Sequence, residues 1–155
     1  MIRVLLTASV RRYALMIGMA VLPLSTLRVL LLRACGIKIG RGCYIGFNVM
    51  VDTNFTKLIT IGNNVTISHD CSIVTHTLTP AKTALSNIFA HKKEVIIHSG
   101  SWIGTKVLIL PGAEIGENTF IGAGSVVTSK MPPNTLCAGN PCRLIKYLQT
   151  TKYSG

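Results

Sequence analysis

From Ile39 onward the chain places an aliphatic residue every six positions, and that interval excludes most ways a chain of this size can fold. The pairs run Ile39-Gly40, Ile45-Gly46 and Val51-Asp52, then, after a ten-residue step, Ile61-Gly62, Ile67-Ser68 and Ile73-Val74. Following a long break they return at Ile97, Ile103-Gly104, Ile109, Ile115-Gly116, Ile121-Gly122 and Val127. All twelve positions are Ile or Val. Those residues make up about a fifth of the chain, so chance would supply roughly two or three. In nine of these units the fifth position is small or β-branched: Cys43, Val49, Val65, Cys71, Ser101, Val107, Ala113, Thr119 and Ser125.

An amphipathic helix repeats every 3.6 residues and a strand every two, so neither produces a strict six. A short flat strand followed by a corner does. Three such units close a triangular coil, and coils stack at about the 4.8 Å strand spacing. The aliphatic residue points inward onto its equivalents above and below. The neighbouring glycine lets the backbone turn, and the small fifth residue fits the cramped interior. The spacing therefore predicts an all-β parallel solenoid.

This motif string resembles the hexapeptide-repeat acyltransferase family, over about residues 37 to 146. The resemblance implies a left-handed parallel β-helix, transfer of an acetyl group from acetyl-CoA to a hydroxyl, and a homotrimer with acetyl-CoA between adjacent solenoids. Some members of this fold are not transferases.

Between Ile73 and Ile97 the repeat gives way to HTLTPAKTALSNIFAHKKEV, which a solenoid wall must extrude as a loop, here taken as residues 77–94. The family's catalytic histidine sits at such a junction, and in ITIGNNVTISHDCSIVTHT that position is His76. An imidazole suits the task of taking a hydroxyl proton during attack on a thioester. His98, in the first unit after the loop, is the rival base and a candidate for acceptor binding. His91 is assigned to the substrate side of the loop and His69 to the outer wall. Asn48, Asp52 and Asn54, roughly one coil before His76, are candidates for binding acceptor hydroxyls.

Downstream, SWIGTKVLILPGAEIGENTFIGAGSVVTSKMPPNTLCAGNPCRLIK is similar to the maltose and galactoside acetyltransferase group. By matching position, Trp102 and Thr105 would border the pantetheine arm, and Ala123 lies in the glycine-rich run that lets backbone approach it. Thr128 and Ser129 would meet the nucleotide end. Arg143 and Lys146 would serve the phosphates. The acceptor implied for a short chain with an apolar head is a sugar or polysaccharide precursor. Serine, or an antibiotic hydroxyl, is the alternative within the fold, and a non-enzymatic binding solenoid the alternative outside catalysis. Gamma-type carbonic anhydrases share the solenoid but hold zinc on three histidines, and His69, His76, His91 and His98 do not reproduce their spacing. No metal is expected.

Of the 155 residues 48% are hydrophobic and 14% charged, so the chain can bury a core, and its net charge is +11. No nucleic-acid reading motif accompanies that charge, so nucleic acid is not an expected partner. Coenzyme A phosphates account for part of the charge, and an anionic membrane surface for the remainder. Cys35, Cys43, Cys71, Cys137 and Cys142 are odd in number and form no CxxC pair, which fits small buried thiols in a reducing compartment. The expected location is cytoplasmic, at the inner face of the membrane.

Residues 1–36 form a hydrophobic head. Pro23, Ser25, Thr26 and Arg28 interrupt its apolar run, which argues against a transmembrane span and for helices broken at Pro23. The second helix is predicted from Ser25, as N-cap, to Gly36. Leu27, Leu30, Leu31 and Ala34 form its apolar stripe, with Arg28 and Arg33 off it. Such a head either packs on the solenoid or lies in a membrane interface. Residues 147–155 are a tail.

Overall fold

The computed structural model describes residues 17–20, 23–89 and 91–149. Its body is a three-sided solenoid with one parallel sheet per side. The first sheet stacks β1 (Lys38–Ile39), β4 (Ile59–Ile61), β7 (Val95–Ile97), β10 (Glu114–Ile115) and β13 (Lys130–Met131). The second stacks β2 (Tyr44–Ile45), β5 (Thr66–Ile67), β8 (Trp102–Ile103), β11 (Phe120–Ile121) and β14 (Thr135–Ala138), with β15 (Arg143–Tyr147) returning antiparallel to β14. The third stacks β3 (Met50–Val51), β6 (Ser72–Ile73), β9 (Leu108–Ile109) and β12 (Val126–Val127). The repeat aliphatics share one register, as the six-residue period requires. Ile45, Ile67, Ile103 and Ile121 align on one side, and Ile61, Ile97 and Ile115 on another. Each of these is at most 2% exposed. Burying a side chain of this size stabilises the fold by about 1.5–3 kcal/mol, taken as an upper figure.

The corners are equally constrained. Asn64, Asn118 and Asn134 hold positive φ between the first and second sheets, and Asn48 and Asp70 between the second and third. Asn and Asp reach this left-handed region more readily than other side chains. At Gly62 an added Cβ would lie 2.6 Å from the Ser99 backbone nitrogen one coil above, so stacking excludes any side chain there. The small polar fifth residues are buried yet satisfied. Ser101 Oγ donates to the Gly116 carbonyl at 2.8 Å and Thr119 Oγ1 to the Pro132 carbonyl at 2.7 Å.

Parallel stacking leaves the first coil with a rim of backbone groups that no earlier coil can pair. Helix α1 (Ser25–Ala34) covers that rim. The Ile45 N–H donates to Ser25 Oγ at 2.8 Å, and Arg28 Nε donates to the Ile45 carbonyl at 2.9 Å. Arg33 Nε donates to the Ile39 carbonyl at 3.1 Å, and its Nη2 to the Gly40 carbonyl.

This rim reverses the helix face expected from the leucines. Arg28, Val29 and Leu32 are buried, whereas Leu27 and Leu30 are exposed. The expected stripe counted apolar side chains only. The carbonyls of the first coil demand donors, and Arg28 supplies one while its guanidinium lies 4.2 Å from the Phe47 ring centroid. Ser25 is likewise not the cap. Leu24 holds that position without a side-chain bond, because the Ser25 hydroxyl serves β2. Among the described residues no helix is long and apolar enough to cross a membrane.

Between β6 and β7 the chain leaves the wall. His76 and Lys92 form an antiparallel bridge at its base, with the Thr77 N–H donating to the His91 carbonyl and the Lys93 N–H to the Thr75 carbonyl, both at 2.9 Å. A short helix α2 (Ala84–Phe89) lies within the excursion.

Candidate active site

His76 stands at the corner where the chain leaves the third sheet, directly above the equivalent corner of the first coil. Val51 pairs with Ile73, so Asp52 lies under the segment that carries Thr75 and His76. Asp52 is buried, and its Oδ2 bonds His76 Nδ1 and the Thr75 hydroxyl, the latter at 2.6 Å. The Thr75 N–H donates to the same oxygen at 3.2 Å, and the Asn54 N–H donates to Oδ1 at 3.0 Å. Burial pushes the Asp52 carboxyl up. The hydrogen bonds from Thr75, His76 and the Asn54 backbone outweigh burial and hold it below its ordinary value.

An ionised acceptor at Nδ1 fixes the imidazole tautomer. The proton resides on Nδ1, and Nε2 carries the free lone pair. The Phe55 ring meets the imidazole edge-on, with centroids 5.0 Å apart, and limits its rotation. The His76 side chain remains 18% exposed and lines an open cleft of about 270 Å³ together with Met50, Thr53 and Asn54. This is the geometry of an oriented base with one nitrogen presented to solvent.

Asp52 borders the same cleft, with its oxygens engaged by Thr75, His76 and the Asn54 backbone. Asn54 borders it as well. Asn48 lies elsewhere, at the corner between the second and third sheets, where its Nδ2 donates to Asp70 Oδ1 at 2.9 Å. His98 is also apart. It follows the first sheet, and its Nε2 bonds Glu114 Oε1 at 3.1 Å in a cleft bordered by Lys130 and Pro132. Hydrogen bonds from Lys130 and then His98 hold the Glu114 carboxyl below its ordinary range. His69 Nδ1 accepts the Phe47 N–H of the preceding coil at 2.9 Å, and His91 is exposed at the loop base.

The residues matched to the cofactor divide between two corners. Trp102 is exposed on β8, stacked on Phe120 at 4.5 Å, with its indole N–H donating to Ser68 Oγ at 3.3 Å. Thr105 and Ala123 stack at the corner from the second to the third sheet, where the Gly124 N–H donates to the Thr105 carbonyl at 2.8 Å. Arg143 and Lys146 are exposed on β15, at the C-terminal end of the second sheet. Thr128 and Ser129 are exposed past β12, on the same corner as His76 but two coils higher. The third sheet separates these groups, so a single chain does not gather them into one groove.

Thr75 and Phe55 join the site without having stood out in the sequence. The detectable signal for Asp52 as a histidine partner was its place: an acid after Val51, where most units carry glycine or a small residue, one coil below His76. Burial raises the Cys71 thiol and pushes Cys142 up to about 11, so both stay protonated. Among the described residues no three side chains of metal-ligating type gather together.

The bacterial transferase hexapeptide model, of six repeats, matches residues 94–129. A galactoside O-acetyltransferase from Escherichia coli (strain K12) is 38% identical over 110 residues, covering 71% of this chain and 53% of that protein. Among solved structures, a maltose O-acetyltransferase from Clostridium difficile 630 superposes with a TM-score of 0.67 at 28% identity, covering 92% of this chain and 85% of that one. A galactoside acetyltransferase in complex with coenzyme A gives 0.62 at 26%, covering 92% and 82%. The chain spans about half the length of the curated relatives it matches. With its aliphatic ladder on three parallel sheets, the chain carries the bacterial transferase hexapeptide repeat and folds as a left-handed β-helix.

Proposed function

We propose that the protein is an acetyl-CoA-dependent O-acetyltransferase in which His76 is the general base and the acceptor is a sugar hydroxyl. The observation that carries this reading is the buried Asp52 bonded to His76 Nδ1, which leaves Nε2 oriented into a cleft. His76 Nε2 takes the acceptor proton as the hydroxyl oxygen attacks the thioester carbonyl. Collapse of the tetrahedral adduct breaks the C–S bond, and the imidazolium returns its proton to the departing thiolate. The acceptor leaves as an ester, and histidine and aspartate end as they began. No enzyme thiol takes part.

The relatives named above support acetyl transfer and coenzyme A as the donor's carrier. Trp102, Thr105 and Ala123 are proposed for the pantetheine arm, Thr128 and Ser129 for the nucleotide end, and Arg143 and Lys146 for the phosphates. Their division across the third sheet favours a homotrimer, in which one copy's His76 corner faces the next copy's Trp102 corner. A thiol-release assay with acetyl-CoA and a panel of sugars tests the reading. Acceptor-dependent release of coenzyme A is expected. Failure of acetyl-CoA to bind would refute the class.

A second proposal concerns place. We propose that the protein works in the cytoplasm, with the outer face of α1 against the anionic inner leaflet. Leu24, Leu27 and Leu30 are exposed there, Arg33 is exposed on the same helix, and the chain carries +11. Cosedimentation with vesicles containing phosphatidylglycerol is expected, with loss of binding in Leu27→Asp/Leu30→Asp and weak binding to pure phosphatidylcholine. Equal recovery with both vesicle types, or none with either, overturns it.

A further inference from the structure

A second cleft, of about 380 Å³, adjoins the His76 cleft on the side away from the residues matched to the cofactor. It is bordered by the end of α1 at Ala34 and Gly36, by the segment from Asn54 to Leu58, and by Lys92. Asn54 lines both clefts, so they lie side by side. Its position along the solenoid decides which substrate it receives. Trp102, Thr105, Ala123 and Arg143 belong to coils later than that of His76, whereas this cleft belongs to the first two coils and the helix that caps them. If the thioester reaches His76 from the C-terminal side, the acceptor occupies the N-terminal side.

The charge of this cleft is one-sided. Lys57 and Lys92 border it, and no residue that lines it is acidic. Neither lysine forms an ion pair among the described residues. Lys92 Nζ sits 4.2 Å from the centroid of Phe55, the ring that meets His76 edge-on. One aromatic ring thus spans the distance between the base and an ammonium group. A neutral sugar needs hydroxyl-directed donors and acceptors, not two lysines without a carboxylate partner along one cleft.

Resting on the acetyltransfer reading, we propose that the acceptor is an acidic sugar. Its carboxylate or phosphate is held by Lys57 and Lys92 while His76 deprotonates a nearby hydroxyl. Charge-assisted contacts of this type are roughly twice as strong as neutral ones and lose strength as salt rises.

The test compares galactose, galacturonate and galactose 6-phosphate on the full chain, by thiol release from acetyl-CoA and by calorimetric binding. At least one charged sugar is expected to exceed galactose roughly tenfold in kcat/KM or in affinity. Galacturonate as the better of the two assigns a carboxylate, and galactose 6-phosphate a phosphate. The preference should shrink toward unity in Lys57→Gln/Lys92→Gln and persist in Lys38→Gln, which alters a lysine on the first sheet outside the cleft. Parity among the three sugars, including equal absence of binding, overturns the proposal, as does a preference that survives the double substitution. Loss of acetyl-CoA binding in the unaltered protein would strike the acetyltransfer reading instead.

Discussion

His76→Ala should lower kcat by roughly 10²–10⁴-fold, the range that a positioned general base contributes, while acetyl-CoA binds as before. The side chain projects from a corner and carries no backbone hydrogen bond, so its loss leaves the wall intact. Steady-state thiol release and a direct coenzyme A titration separate the two effects. His98→Ala is the matched comparison, because His98 bonds half-buried Glu114 in a different cleft. Its turnover should stay close to that of the unaltered protein. Retained turnover in His76→Ala, with collapse in His98→Ala, would move the base to the other corner.

Asp52→Asn should be nearly as damaging to kcat, by roughly 10³-fold, through the Asp52 bond to His76 Nδ1. Asparagine can present an N–H to His76 Nδ1, which turns that nitrogen into an acceptor and places the proton on Nε2. The imidazole is then a donor where a base is required. The acetyl-CoA KM should hold steady, and that split distinguishes mis-set tautomer from general damage.

The same substitution weakens the fold, since the Thr75 and Asn54 donors lose a charged acceptor worth about 1.5–3 kcal/mol per bond. The pH dependence has a definite sign. The folded value of Asp52 lies below the unfolded value of 3.8, so its contribution is complete above 3.8 and is lost as pH falls through the folded value. The Tm gap between the unaltered protein and Asp52→Asn should therefore be widest near neutrality and close in strong acid. A gap that widens on acidification would refute the assignment.

Much of this was legible in the chain. A period of six has few structural solutions, because every β-branched residue must stack in register on the next coil. Ile67 under Ile103 under Ile121 follows from counting alone. The break after Ile73 was equally plain, since a wall of two-residue strands cannot absorb that segment. What counting could not supply was the partner of each polar group. Arg28 was expected off the apolar stripe of its helix, and its burial follows only once the first coil is seen to expose carbonyls needing a donor. Asp52 looked like a hydroxyl ligand until stacking set it beneath His76 with its oxygens engaged. Lys57 and Lys92 are far apart in sequence and border one cleft only because the extruded segment returns beside its own base. Periodicity is a local property that hydrophobic burial enforces at every coil, so the sequence by itself determined the solenoid. Hydrogen-bond and charge partners are non-local, so the orientation of His76, the buried face of α1 and the basic cleft beside Phe55 were decided only by the tertiary structure.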